Sequence, residues 1–213
     1  MDYREAQYYK NIITNGEYQA KVSGDYGEYQ ISSVMRSLPD CYHVINDVLL
    51  PTKKATTQID HIIVSPFGIF IIETKNHKGM IFGDCFGKVW TQVLRGAGKF
   101  TFYSPVRQNE IHIKHLSRAI KIPANCMIGL IVFTNENVNL DNVNCPFCYR
   151  VQGLYDVILS YNQPIFTEKQ VSKIIDRIDK VNISGYKNTQ KHVAFVKGLK
   201  EQAEMRKRLQ RGF

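Results

Sequence analysis

Residues 57–76 read TQIDHIIVSPFGIFIIETKN, and this stretch decides the fold. Two apolar runs flank a Ser65-Pro66-Phe67-Gly68 connection, the pattern of two strands joined by a hairpin. Asp60, Glu73 and Lys75 interrupt the apolar runs, and a charge is costly to bury without a partner. With residues 65–68 as a four-residue loop, Val64 lies opposite Ile69 and Asp60 opposite Glu73. Side chains alternate between faces along a strand. That places Asp60, Ile62 and Val64 on one face with Ile69, Ile71, Glu73 and Lys75. Directly opposed residues have Cβ atoms about 5 Å apart, and like charges there destabilise the pair. Two facing carboxylates beside an ammonium make physical sense if they share a cation. The hairpin is therefore expected to be a divalent-metal site, provided that Asp60 and Glu73 lie side by side on one face. The competing reading is a buried Asp–Lys–Glu ion cluster without a ligand.

The rest of the chain sets the context. Its 213 residues fit one large domain or a domain with an appendage, and 44% hydrophobic with 22% charged residues is ordinary for a globular protein. The net charge of +9 favours a polyanionic partner, nucleic acid before an anionic membrane surface. No apolar run approaches the roughly 18 residues that span a bilayer, and MDYREAQYYKN lacks the apolar core of a signal peptide. A cytoplasmic location is the default expectation. Five scattered cysteines argue against a disulfide framework.

Residues 1–22 read as an arm or lead-in helix. A helix follows, capped by Ser23 or Asp25, carrying Ile31, Val34, Met35 and Leu38 at helical spacing and stopped by Pro39. Glu28 falls in its first turn, where the helix dipole alone accounts for a carboxylate. Residues 42–50 are a first strand, and residues 79–83 and 88–94 two more after the hairpin. Trp90 is expected as a core anchor. Gly96, Ala97 and Gly98 mark a loop without phosphate-loop spacing.

Ser104-Pro105 is a helix start, with serine as cap and proline in the first turn. That helix runs to about Ile120 with Ile111, Leu116 and Ile120 on its apolar face. Gln108, His112 and His115 line another face. A histidine pair at that spacing can bind zinc, but no carboxylate or cysteine completes a set, so a solvated or phosphate-facing role is preferred.

Residues 127–134, MIGLIVFT, are a buried strand. Cys145 and Cys148 form a CxxC without a second ligand pair, and structural thiols are preferred over metal or redox roles. A short strand at residues 149–152, a helix at 153–161 and a capping-box helix from Thr167 to about Val181 follow. Residues 183–190 read as a linker. Residues 191–211 hold seven Lys/Arg and two Asp/Glu, a net +5, on a helix with a thin apolar stripe. This tail reads as a docked helix, a nucleic-acid or membrane arm, or a surface for a protein partner or self-association.

Hard oxygen ligands select Mg²⁺ or Mn²⁺ over zinc. A magnesium ion on two carboxylates keeps waters, one of which can become a nucleophile, and Lys75 can orient it. That is the kit for phosphodiester hydrolysis.

Gly27-Glu28, QIDHIIVSPFGIFIIETKN, residues 79–83 with Trp90, and PVRQN with His112 together resemble the nuclease-related domain (NERD) family of the PD-(D/E)xK nuclease superfamily. The resemblance covers roughly residues 20–135, with residues 23–182 taken as the domain. It implies an α/β, restriction-endonuclease-like fold, a mixed central sheet flanked by helices, with the basic C-terminal helix as an extra. It also implies a Mg²⁺- or Mn²⁺-dependent nuclease on DNA rather than RNA, or a nucleic-acid-binding module that is inactive alone. By position, Asp60, Glu73 and Lys75 match the catalytic signature, with Asp60, Glu73 and the Thr74 carbonyl holding the metal. Glu28 matches the acidic residue of the first core helix and Gln108 the polar residue of the second. Ile59 stands where the superfamily often has proline.

Overall fold

A computed structural model describes residues 16–52 and 55–210. The hairpin forms in the expected register. Strand β2 (Thr56–Ser65) pairs antiparallel with β3 (Gly68–Lys75), with Val64 opposite Ile69. The ladder extends one step further than expected, to Ser65 opposite Gly68, so the loop is the two-residue turn Pro66-Phe67. β1 (His43–Pro51) pairs antiparallel on the other side of β2. β7 (Met127–Phe133) lies parallel to β3, and β9 (Cys148–Arg150) parallel to β7. The resulting order β1-β2-β3-β7-β9 is a mixed five-stranded sheet.

Helices close both faces. Helix α1 (Gly16–Arg36) and α3 (Leu154–Ser160) cover one, where Ile31, Met35, Leu154 and Ile158 meet Ile63, Phe70, Ile72, Leu130 and Val132. Helix α2 (Pro105–Ile120) and α4 (Glu168–Val181) cover the other, where Leu116, Ile120, Ile174 and Ile178 meet Ile62, Val64, Ile69 and Ile71. Both faces of β2 and β3 are thus buried, which is why these strands read as apolar runs. Each such aliphatic side chain contributes about 1.5–3 kcal/mol when fully buried. Helix α5 (Tyr186–Gln210) is the basic tail. This is an α/β, restriction-endonuclease-like architecture.

A second sheet adds to the expected core. β4 (Gly79–Asp84), β5 (Val89–Leu94), β6 (Gly98–Tyr103) and β8 (Val138–Asn144) pair in the order β6-β5-β4-β8. The stretch expected as a glycine loop is the turn between β5 and β6. Trp90 is fully buried, lies 6.4 Å from the Phe133 ring in a stacked pair, and donates from Nε1 to the Asp84 carbonyl at 3.0 Å. It anchors the second sheet to the end of β7. A Cβ on Gly83 would fall 2.2 Å from the indole, so this approach requires glycine.

Several sequence boundaries move. α1 already runs at Gly16, so Ser23 and Asp25 lie within it and not at its start; residues 1–15 of the expected arm lie outside the described residues. Glu28 therefore sits mid-helix, and the dipole account of its charge fails. Ile111 is exposed; the buried stripe of α2 is Val106, Asn109, His112, Leu116 and Ile120. The last short strand stops at Arg150, and Val151 opens a 3₁₀ turn. The helical tail begins at Tyr186, which shortens the expected linker. Its Val193, Leu199 and Leu209 are exposed, so the thin apolar stripe is not buried among the described residues. The Ser104 cap and the Thr167–Gln170 capping box are both formed.

Candidate active site

The residues singled out in the hairpin converge at the end where β2 and β3 separate. Glu73 is 2% exposed, near the end of β3. Lys75 donates from Nζ to Glu73 Oε1 and, at 3.2 Å, to Gln108 Oε1 on the first turns of α2. His112 donates from Nε2 to Glu73 Oε2 at 3.1 Å, and its Nδ1 hydrogen-bonds with the Thr57 hydroxyl at 3.0 Å. Burial alone would raise the Glu73 carboxyl. The hydrogen bond from His112 and the Lys75 charge outweigh it and hold Glu73 below its ordinary range.

Two features aim α2 at this spot. Ser104 accepts from the Arg107 N–H at 3.4 Å, fixing where the helix begins. Asn109 is buried and donates from Nδ2 to the carbonyls of Ile71 and Leu130, at 2.8 and 3.2 Å. It ties the helix to β3 and β7 together, between Gln108 and His112.

Asp60 departs from the expected geometry. Strict alternation puts it on the face of Ile62 and Glu73, but the alternation slips. Ile59 and Ile62 both belong to the core under α2 and α4, whereas His61 pairs with Asn46 and Ile63 belongs to the core under α1. Two residues, Asp60 and His61, therefore fall on the α1 side between two residues facing the other way. The cause lies in β1: Asp47, between the paired Asn46–His61 and Val48–Ile59, has φ of 54° and interrupts the ladder. Positive φ is tolerated by Asp better than by most side chains.

Asp60 thus does not lie side by side with Glu73 on one face. Its Oδ2 instead accepts from the Thr74 N–H at 2.9 Å and the Thr74 hydroxyl at 2.8 Å, bridging the gap that opens beyond the last ladder pair, His61–Ile72. The two carboxylates still feel each other. Burial first, and then the charge of Glu73, push the Asp60 carboxyl above its ordinary value.

Glu28 joins Asp60 from α1, and both line a polar cavity of about 90 Å³ with Ser32, Asn46, Asp47, Gln58 and His61. The approach of α1 depends on Gly27, where a Cβ would meet Thr134 Oγ1 at 2.4 Å. Five of the expected site residues form two adjacent hydrogen-bonded groups, Glu73–Lys75–Gln108 and Asp60–Thr74, which meet where Thr74 and Lys75 are chain neighbours; Glu28 shares a cavity with Asp60.

The donor chemistry suits a hard dication: two carboxylates and a backbone carbonyl, a set on which Mg²⁺ keeps waters. Among the described residues no three of His, Cys, Asp or Glu already form a complete ligand group, so waters would make up much of any coordination shell. His112 was read as solvated or phosphate-facing, yet it is buried against Glu73. His61 was not singled out at all. Its Nδ1 donates to Asn46 Oδ1 at 2.9 Å, and burial lowers its pKa to about 4, so it is neutral at pH 7. The signal for His112 was its one-turn spacing from Gln108; for His61 it was position beside Asp60. The CxxC thiols lie apart from this site: Cys145 and Cys148, with Cys85, pack in the cluster around Trp90.

The basic helix reaches this region: Thr56, beside Thr57, hydrogen-bonds His192 Nδ1 at 2.8 Å. No described helix is long and apolar enough to cross a membrane.

The family model for the nuclease-related domain matches residues 23–134. Those residues hold every side chain of the site, from Glu28 to His112. The chain is also 31% identical over 182 residues to a protein of Bacillus anthracis described as uncharacterized, covering 83% of this chain and 84% of that one. On the match over more than half of its length, this chain belongs to the nuclease-related domain family.

Proposed function

We propose that this protein is a metal-dependent nuclease that hydrolyses phosphodiester bonds of DNA. The observation that carries the reading is the part-buried Glu73–Lys75–Gln108 contact beside Asp60, in a chain of net charge +9. Asp60 and Glu73, which reach the opening between β2 and β3 from its two sides and not from one face as expected, would hold a Mg²⁺ or Mn²⁺ ion there with the Thr74 carbonyl. Such an ion supplies a water of lowered pKa and neutralises charge on the phosphate. Thr74 fixes the Asp60 carboxylate through its N–H and hydroxyl. Lys75, held between Glu73 and Gln108, is positioned to orient the attacking water and to oppose negative charge on the phosphate. Gln108 sets the Lys75 ammonium and can contact phosphate or water. Glu28 supports the Asp60 side of the site.

The test is incubation of the purified protein with linear, nicked and single-stranded DNA in Mg²⁺ or Mn²⁺, beside Glu73→Gln and Lys75→Ala. Cleavage by the wild type that both substitutions abolish is the expected result. Cleavage that persists in both, or none on any substrate, refutes it. A second reading, a nucleic-acid-binding module without turnover of its own, draws on one feature: both Glu73 oxygens are already engaged, by Lys75 and His112. Salt-dependent binding without cleavage would favour that reading.

A further inference from the structure

Between Asp84 and Glu110 the chain holds four cations, Lys88, Arg95, Lys99 and Arg107, and no Asp or Glu. Arg95 and Lys99 are exposed at the tip of the β5–β6 hairpin. Gly96 and Gly98 between them have φ of 77° and 98°, and a Cβ on either would meet open space, so the tip is bare. β5 ends where β4 begins, since Val93 pairs with Met80. The tip therefore stands at the end of the second sheet that follows Lys75 in the chain. Two contacts fasten the hairpin there. Gln92 donates from Nε2 to the Lys78 carbonyl at 2.8 Å, and the ring of His77, two residues after Lys75, lies 4.2 Å from that of Phe102. Burial first, and then the Lys75 charge, lower the His77 pKa, so this contact is within electrostatic reach of the site. The hairpin also carries an aromatic row. Trp90 pairs with Phe102 and Gln92 with Phe100, so Trp90, Phe102 and Phe100 share one face. Exposure rises along the row toward the tip: Trp90 is fully buried, Phe102 partly, and Phe100 is 48% exposed. A phenyl ring offers a phosphate no hydrogen bond. Its face can stack on a base, and a base shows its own face only where the strand is unpaired.

We propose that the β5–β6 hairpin is a binding arm for single-stranded DNA, with an unpaired base stacked on Phe100 and the neighbouring phosphates on Arg95 and Lys99. The inference rests on the nucleic-acid reading of the site and narrows its substrate class to DNA with an unpaired segment. A continuous duplex offers phosphates to Arg95 and Lys99 but no base face to Phe100. A strand held on the arm is delivered beside Lys75, because His77 and Lys78, which fasten the arm, are the residues that lead from Lys75 into β4. Trp90, stacked on Phe133 at the end of β7, gives the arm a rigid base.

The experiment is fluorescence anisotropy of the full chain with end-labelled oligodeoxynucleotides, in EDTA so that nothing is cleaved. The probes are a single strand, its blunt duplex, and a strand of abasic sites that keeps every phosphate. The wild type should bind the single strand more tightly than either other probe by about fivefold or more, the worth of one stacked base. Phe100→Leu keeps an apolar side chain at this exposed position and should lose that margin. Phe100→Trp should keep it, and its added indole emission should be quenched by the single strand and not by the abasic one. Arg95→Ala with Lys99→Ala should lower the slope of log K against log salt on the single strand by about 1.4, at about 0.7 for each phosphate contact. Equal affinity of the wild type for the single strand and the abasic strand, or for the single strand and the duplex, would overturn the proposal. So would single-strand binding by Phe100→Leu equal to that of the wild type, an unchanged salt slope, or no binding of any probe. The nuclease reading is judged separately. These margins without cleavage in Mg²⁺ would keep the arm and remove the nuclease, and cleavage by a protein whose Phe100→Leu variant binds unchanged would do the reverse.

Discussion

His112 offers the sharpest test of how the buried charge at Glu73 is held. Glu73 is almost fully enclosed, and its carboxylate survives there because hydrogen bonds from His112 and the charge of Lys75 outweigh the burial penalty. Replacing His112 by Phe keeps bulk in the core of α2 and removes the donor to Glu73 Oε2 at 3.1 Å. It also strips the Thr57 hydroxyl of its partner. A hydrogen bond to a charged group is worth about 1.5–3 kcal/mol. For a chain of this size each kcal/mol moves the melting temperature by roughly 2–4 °C.

The pH dependence gives the sign. Glu73 has a depressed carboxyl pKa in the folded protein, so its contribution is complete above the unfolded value and is lost as pH falls through the folded one. His112→Phe moves the folded value up and so removes part of that contribution. The deficit relative to wild type should therefore be largest at neutral pH and shrink in the acid range below the ordinary glutamate value, where Glu73 takes up a proton. Thermal unfolding of both proteins across that range measures it. A deficit that stays constant through the acid range, or one below about 0.5 kcal/mol at neutral pH, would show that His112 is a packing residue and not the partner of a charged Glu73.

Three further outcomes follow from other contacts. Gly27→Ala places a Cβ 2.4 Å from Thr134 Oγ1 and should destabilise by about 1–3 kcal/mol. Thr134→Ala, whose lost hydroxyl has no hydrogen-bond partner, should recover part of that in a double-mutant cycle; strict additivity of the two refutes the clash. Asn109→Leu leaves the Ile71 and Leu130 carbonyls without their side-chain donor, costs about 1–3 kcal/mol in urea unfolding, and should loosen the Lys75–Gln108 contact; equal stability would refute a tethering role. Lys191→Glu with Lys197→Glu, both exposed on α5, should flatten the dependence of log K on log salt for DNA binding by about two, one per phosphate contact. An unchanged slope would remove α5 from the nucleic-acid surface and leave docking of a protein as its reading.

The sequence was most informative where both faces of a strand or helix declare themselves. The run from Ile62 to Ile72 fixed its own register because only one pairing brings a two- to four-residue turn to Ser65-Pro66-Phe67-Gly68, and Val64 does lie opposite Ile69. Ser104-Pro105 and Thr167–Gln170 carry their capping chemistry locally, so those helix starts were legible. β6 and β8 were not. Gly98–Tyr103 is exposed along most of its length, and Val138–Asn144 is largely polar, so neither shows the alternation that marks a half-buried strand. His112 was misread for a related reason. Polar residues on a helix are expected to face water, and the stripe that α2 buries contains Asn109 and His112 because β3 and β7 offer them carbonyls and a carboxylate.

The slip at Asp60 explains why register alone was not enough. Pairing fixes which residues are neighbours, and the ladder holds only as far as His61–Ile72, one step short of the expected Asp60–Glu73 pair. Pairing fixes the face only while the pleat continues. Between Ile59 and Ile62 every position borders a buried environment, so hydrophobicity carries no mark of which side each faces. The departure originates in another strand, at Asp47, whose positive φ has no signature in a run such as VINDVLL. Its consequence is chemical. A regular pleat would pair Asp60 with Glu73 on the α2 side, where Lys75 and His112 already satisfy Glu73. The slip turns Asp60 across the sheet, lets Thr74 hold one of its oxygens, and brings it to Glu28 and His61. Two carboxylates that would have repelled each other on one surface instead address the gap between the strands from two sides. Asp47→Gly, which accepts the same φ without a side chain, should preserve this arrangement, and Asp47→Val, for which positive φ is strained, should disturb it. The comparison is made by the Thr74 amide, whose proton is held by Asp60 Oδ2 at 2.9 Å between the heavy atoms. Faster hydrogen exchange at Thr74 in Asp47→Val than in Asp47→Gly is the expected result, and equal exchange in the two would separate the face of Asp60 from the strain in β1.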